Sequence, residues 1–348
     1  GRGGRPVPAE IQRPAYVKEG TLLRASRDGV VLGETCVRNL PEIIQPILLR
    51  SGDSLVLTRA DEPGRQALRD ALGRVIKPAR IHCTLAAAFD QVRPGESVWL
   101  DDGKIGGIVQ ANNGEEIRVW ITHTPPQGAK LKAEKGINFP DTALQLSSLT
   151  EKDLEDLPVL VTLVDMVAQS FVRGPEDVRR LHDELYRLGA NPLGVVLKIE
   201  NRQAFENLPR ILLAGLGSPP LGVMIARGDL AVEVGFERLS EVQQEILWLC
   251  EAAHVPVIWA TQILEGMAKK GAPSRAEVSD AAMSIMAECA MLNKGPNIVE
   301  TVRFLDGVIG RMDEHFVKRR ATLRKLAVAE LKPGGESRLR AALPLITP

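Results

Sequence analysis

Five apolar runs, each ending in a polar residue and following the last at a near-constant interval, constrain this chain more than any other feature. They are VDMVAQSFV (164–172), GVVLKIE (194–200), LGVMIARG (221–228), VPVIWAT (255–261) and CAMLNKG (289–295). Their polar ends fall at Ser170, Glu200, Asp229, Thr261 and Lys294, with gaps of 30, 29, 32 and 33 residues. Near-continuous Val/Ile/Leu runs suit strands buried on both faces of a parallel sheet, and such a gap holds one strand and one returning helix. In PEDVRRLHDELYRLG, Val178, Leu181, Leu185 and Leu188 share one helix face and Gly189 stops it. Ser240 and Gln243 form a capping-box pattern at the head of a second helix. A long helix is expected after 296 with Val299, Val302, Leu305, Ile309 and Met312 inward.

A doubly wound open sheet and a closed barrel both fit this repeat. Polar residues at every carboxyl end favour the barrel, whose chemistry sits there. The expected fold class is therefore α/β, a TIM (β/α)8 barrel of which only the later strands are visible, because five runs stand where eight are needed. Before about 140 the texture changes to short alternating runs such as SLVLTRA (54–60) and EIRVWITHT (116–124). Asp101-Asp102-Gly103 and Asn112-Asn113-Gly114 mark hairpin turns between them. The expected organisation is a flexible lead-in over 1–12, a β-rich domain over 13–138, a barrel portion over 139–325 carrying the site, and a tail over 326–348.

Composition narrows the partners. The 44 Lys and Arg residues balance 44 Asp and Glu, which argues against nucleic acid, whose binders need a basic face. No run of 18 apolar residues is present, so no membrane partner is expected and the localisation read from the sequence is cytoplasmic. None of Cys36, Cys83, Cys250 and Cys289 forms a CxxC pair, and Cys250 and Cys289 read as small core residues. A metal here is expected to be a hard ion held by carboxylates, such as Mg2+. The chain begins at Gly1 rather than Met, from which a missing N-terminal portion is expected.

The chemistry gathers at the run ends. Lys198 and Glu200 share one face of a strand, since side chains alternate with period two. Such a pair closes a barrel rim or serves a ligand, and the motif alone favours neither. Ala226-Arg227-Gly228-Asp229 ends the next run; backbone N–H groups beyond Gly228 can face an anion as a helix begins. Asp229 is either a helix N-cap or a second carboxylate beside Glu200, which with substrate oxygens suits Mg2+. Thr261 offers a hydroxyl, or caps the helix after it. Ser274-Arg275-Ala276-Glu277 reads as a helix cap. A cation, a divalent metal and an anion cradle in one mouth suit an enolate or a transferring phosphoryl group.

These residues resemble the pyruvate kinase family. The resemblance rests on WLDDG (99–103), EKGINFP (134–140), LTEKDLEDL (149–157), DMVAQSFVR (165–173), LKIEN (197–201), MIARGDLAVE (224–233), PVIWATQILEGMAKKGAPSRAEVSDAAM (256–283) and CAMLN (289–293), colinear from roughly 95 to 315. It implies that the β-rich part is a lid, a small β-barrel inserted in the barrel, with Asp102 on the segment nearing the site. It implies that Glu200 and Asp229 hold Mg2+ or Mn2+ and that Lys198 neutralises the phosphoryl in flight. Ala226, Arg227, Gly228, Asp229, Thr261 and Ser170 line the substrate, and Thr261 stands beside the proton-delivering water. The implied reaction passes the phosphoryl of phosphoenolpyruvate to ADP, giving pyruvate and ATP. K+ is the implied monovalent cation and a homo-oligomer, dimer or tetramer, the implied assembly.

Two alternatives share part of this site: a Mg2+-dependent lyase or aldolase acting through pyruvate enolate, and a phosphoenolpyruvate-binding homologue without turnover. The runs N-x-R-x-N-x-S-H and D-T-K-G-P, which in the family carry a phosphate-binding arginine and the K+ ligands, are not found here. Asn293-Lys294-Gly295-Pro296 stands where the family has S-G-E-T-A. A divergent, short bacterial-type homologue is expected, seen without its first strands and C-terminal regulatory domain.

Overall fold

The structure, a computed structural model, describes residues 19–27, 30–38, 45–190, 193–218 and 220–316. The expected lead-in over 1–12 and tail over 326–348 lie outside the described residues. The chain divides into two units, at Gly1–Pro46 and Ile47–Pro348. Within the first, β1 (Leu22–Arg27) pairs antiparallel with β2 (Val30–Cys36).

The second unit begins with β strands packed on their own core. In chain order they are β3 (Ile47–Leu49), β4 (Ser54–Thr58), β5 (Leu68–Arg69), β6 (Val75–Lys77) and β7 (Ala79–His82), then α1 (Ala86–Gln91). There follow β8 (Ser97–Leu100), β9 (Ile105–Asn112), β10 (Glu116–His123), β11 (Ala129–Leu131) and β12 (Ile137–Asn138). The main sheet has the order β12-β8-β9-β10-β4-β7, and β3 pairs with β11. Both expected hairpins form. The β8–β9 turn is built on Asp101, Asp102 and Gly103, with φ of 53°, 56° and 79°. In the β9–β10 turn the Asn112 and Asn113 side chains accept from the N–H groups of Gly114 (2.9 Å) and Glu116 (2.7 Å). The alternating apolar residues Ile117, Val119 and Ile121 are fully buried beneath the sheet.

After α2 (Glu151–Leu160) come the five parallel strands: β13 (Met166–Gln169), β14 (Gly194–Ile199), β15 (Leu221–Ala226), β16 (Val257–Ile263) and β17 (Cys289–Leu292). They neighbour one another in sequence order and all pairings are parallel, the pattern of successive barrel strands. Between and after them lie α3 (Pro175–Arg187), α4 (Arg202–Glu206), α5 (Leu208–Gly215), α6 (Arg227–Val234), α7 (Leu239–Ala252), α8 (Glu265–Lys270), α9 (Arg275–Met283) and α10 (Ile298–Phe316). Leu197, Ile199, Val223, Ile225 and Trp259 are at most 2% exposed, and each such side chain contributes about 1.5–3 kcal/mol of transfer free energy. The α/β class and the consecutive parallel strands of a TIM-type barrel stand as expected.

Three local expectations are corrected. α10 keeps Leu305 and Ile309 inward as expected, but Val299 and Val302 are 54% and 52% exposed, and Thr301, Phe304 and Val308 share the inner face in their place. The helix lies against α8 and α9, and that side contact sets its rotation. Cys289 is exposed because β17 has a neighbour on one side alone in this sheet. Ser240 does not cap α7, which starts at Leu239 straight out of a 3-10 turn over Phe236–Arg238 with no side-chain cap. Among the described residues no helix is long and apolar enough to cross a membrane.

Candidate active site

The carboxyl ends of β13 and β14 bring Ser170, Lys198 and Glu200 into contact. The Lys198 ammonium lies 2.6 Å from Glu200 Oε1 and donates to Ser170 Oγ at 2.8 Å. The other oxygen of Glu200 accepts from the Phe171 N–H at 2.6 Å. Phe171 reaches that position by adopting φ of 53° just beyond β13. Glu200 is buried to 3% exposure, so its charge depends on these two donors.

Asp229 lies in the first turn of α6, whose N-cap is Ala226. The N-cap alternative for Asp229 therefore fails. The helix has no side-chain cap, leaving the amide groups of its first turn as donors facing outward from the strand end. A Cβ placed on Gly228 would meet nothing within 4 Å; the space over that backbone is open, and no protein atom demands glycine there. The half-buried Asp229 carboxyl accepts no hydrogen bond among the described residues. Burial first, then the charges of Glu200 and Asp102, hold it above the ordinary aspartate range, against the pull of Lys198.

Asp102 is exposed at the β8–β9 turn, and its charge is among those that raise Asp229. Two contacts tie the β domain to α6 directly. A Cβ on Gly103 would lie 3.1 Å from Val232 of α6, and the Asn138 amide donates to Glu233 at 3.1 Å. Glu233 is itself raised, chiefly by burial. Asp101 faces inward and is paired by Lys104 and Lys135.

Thr261 is not a helix cap, since α8 begins at Glu265 and is preceded by Leu264. It holds φ of 66° within β16, two residues before its last, and its Oγ1 is buried without a hydrogen-bond partner among the described residues. Arg227 differs from the other singled-out residues. Its guanidinium is spent on Ala260 O, Thr261 O and Asp280, with none of its contacts reaching Glu200 or Lys198. Ser274 does cap α9, accepting from the Glu277 N–H at 3.2 Å in a reciprocal capping box.

Sequence reasoning missed Phe171, Arg173, Asn138 and Glu233. The Phe171 contact is a backbone donor, which residue type cannot signal. Arg173 is desolvated and lies within electrostatic reach of Glu200 and Glu233; its place after DMVAQSFV was the available clue.

A divalent cation can be tested against these donors. Among the described residues no group of three or more His, Cys, Asp and Glu side chains could hold a metal. Glu200 and Asp229 follow neighbouring strands, Asp229 being unpartnered among the described residues and raised by burial and then by the charges of Glu200 and Asp102, and Mg2+ is ordinarily held by one or two carboxylates with substrate oxygens and water. The donor set fits.

Comparison with known proteins bears on the same segment. The family model described as pyruvate kinase, barrel domain, matches residues 42–296. A pyruvate kinase of Mycobacterium tuberculosis is 34% identical over 243 residues, 68% of this chain and 49% of that protein. One from Clostridium acetobutylicum is 36% identical over 198 residues, 57% of this chain and 40% of its own length. Pyruvate kinase 1 of Trypanosoma brucei brucei is 37% identical over 221 residues, covering 62% and 42%. The matched stretch is less than half of each relative's length.

Proposed function

The chain belongs to the pyruvate kinase family, and from that premise we propose that it transfers the phosphoryl group of phosphoenolpyruvate to ADP, giving pyruvate and ATP. The observation that supports the proposal is the Lys198–Glu200 pair just past β14 with the unpartnered Asp229 following the neighbouring strand β15. Glu200 and Asp229 would hold Mg2+ or Mn2+, and the ion, when bound, supplies charge neutralisation at the substrate oxygens.

The chain's own groups do the rest. Lys198, fixed by Ser170 and Glu200, offers its ammonium to the phosphoryl as the bond to the enolate oxygen breaks and the bond to ADP forms. The uncapped amides at Gly228 and Asp229 suit the substrate carboxylate, next to the open space over Gly228. Thr261 keeps a free hydroxyl beside the enolate carbon, where a water can take a proton from it or pass one on. Asp102 and the β8–β9 turn close the mouth from the β domain and reduce water access during transfer. K+ belongs with the family's chemistry, and the assembly proposed is a homo-oligomer acting on small molecules.

The test is pyruvate formation from phosphoenolpyruvate with and without ADP. The proposal expects pyruvate and ATP in equal amounts, and none without ADP. Pyruvate and free phosphate without ADP would make water the phosphoryl acceptor and contradict the proposal, and tight binding without turnover would favour the non-catalytic reading.

A further inference from the structure

We propose that Arg227 is a positioning residue, whose guanidinium spans two neighbouring strands and holds Thr261 in the left-handed conformation that fixes its hydroxyl. Arg227 directly follows β15, and the register Ala226↔Ala260 sets it beside Ala260 and Thr261 of β16. Its Nε donates to Ala260 O at 2.8 Å, and one terminal nitrogen donates to Thr261 O and to Asp280 Oδ2, the latter at 3.0 Å. The other terminal nitrogen donates to Asp280 Oδ1. The plane sits over the Trp259 ring, 4.9 Å from its centroid. Only a planar fork with five donors can meet two consecutive carbonyls and a carboxylate at once, which a lysine ammonium cannot reproduce.

The segment it grips has reason to be gripped. Thr261, Gln262 and Leu264 hold φ of 66°, 58° and 48°. A β-branched residue is a genuine outlier there and keeps that state only where its surroundings impose it. The far post of the bracket is rigid as well. Asp280 rides on α9, whose first turn is closed by the Ser274–Glu277 capping box, and Glu277 also accepts from the Gly266 N–H of α8. The buried Thr261 Oγ1 has no partner among the described residues, and the bracket is what holds the backbone there. The bracket therefore acts on catalysis through Thr261 and not by touching substrate.

The kinetic part of this inference rests on the phosphotransferase reading above; the conformational part does not. In the full-length protein, Arg227→Lys should lower kcat about 100-fold, the scale of an ångström-level misplacement, while KM for phosphoenolpyruvate stays within about threefold. In a Thr261→Ala background the same change should lower kcat by less than about threefold, because the group it positions is gone. Equal losses in both backgrounds would overturn the inference and leave Arg227 a plain structural ion pair. Should Arg227→Lys not fold, Asp280→Asn loosens one post and is read in the same cycle, with a loss of about tenfold expected. A crystal structure of either variant decides the point without any assay. Thr261 leaving positive φ supports the bracket, and Thr261 unmoved overturns it whatever reaction the protein catalyses.

Discussion

Lys198 and Glu200 form an ion pair at 2.6 Å in which the carboxylate is 3% exposed and the ammonium 25%. Removing one partner from such a pair strands the other, which is far worse than removing both. Lys198→Met should therefore destabilise the fold by about 3–5 kcal/mol, while Lys198→Met with Glu200→Met should recover most of that loss. Urea midpoints of the three proteins at neutral pH check this. A double variant no more stable than the single would mean that the pair is not electrostatically isolated.

Asp229 carries a pH signature. Its carboxyl is raised by burial and then by Glu200 and Asp102, so the folded chain binds that proton more tightly than the unfolded one. Between about 3.9, the usual aspartate value, and the raised value, the folded state holds more protons, and stability falls as pH climbs. Below that window the group contributes nothing. Asp229→Asn should thus match the parent in strong acid and equal or exceed its denaturant midpoint at neutral pH. Mg2+ should raise the Tm of the parent and not that of the variant. A parent midpoint above the variant's at neutral pH, without metal, would contradict this.

The cysteines should divide two and two. Burial pushes the Cys250 thiol up to about 12 and raises that of Cys83 too, while Cys36 and Cys289 are exposed. The thiolate is the reactive species. Iodoacetamide at mildly alkaline pH followed by peptide mass spectrometry should label Cys36 and Cys289 and spare the other pair until the protein is denatured.

Ser274 tests the post behind Thr261. Ser274→Ala removes the cap of α9 and should lower stability by about 1 kcal/mol. Because α9 carries Asp280, it should also lower kcat modestly with little change in KM. An unchanged denaturation midpoint would show that the cap does not bear on the fold.

How far residues alone reached is clearest at the strand ends. The polar ends at Ser170 and Glu200 fall one residue past β13 and β14; β14 is buried nearly throughout, as its apolar run implies, whereas the edge strand β13 leaves Met166 and Ala168 exposed. The hairpins were legible for the equally local reason that Asp-Gly and Asn-Gly turns have their own chemistry. Three features were not legible. The parallel β4–β7 pairing joins segments whose local pattern carries no information about direction. The inward face of α10 depends on which neighbours it meets. The positive φ of Thr261 runs against the preference of a β-branched residue and is imposed from a distance by Arg227 and Asp280. Arg227 itself sits in the motif that pointed to substrate, yet its side chain is engaged elsewhere.

Phosphoryl transfer at the site built on Lys198, Glu200 and Asp229 has a direct spectroscopic readout. Phosphorus NMR of phosphoenolpyruvate, ADP and Mg2+ tests it most directly, run with the parent protein and with Lys198→Met. In the parent the substrate resonance should be replaced by that of the ATP γ-phosphate, with the rate reduced about a thousandfold in the variant. Equal conversion by both proteins, or free phosphate as the sole product, would contradict it.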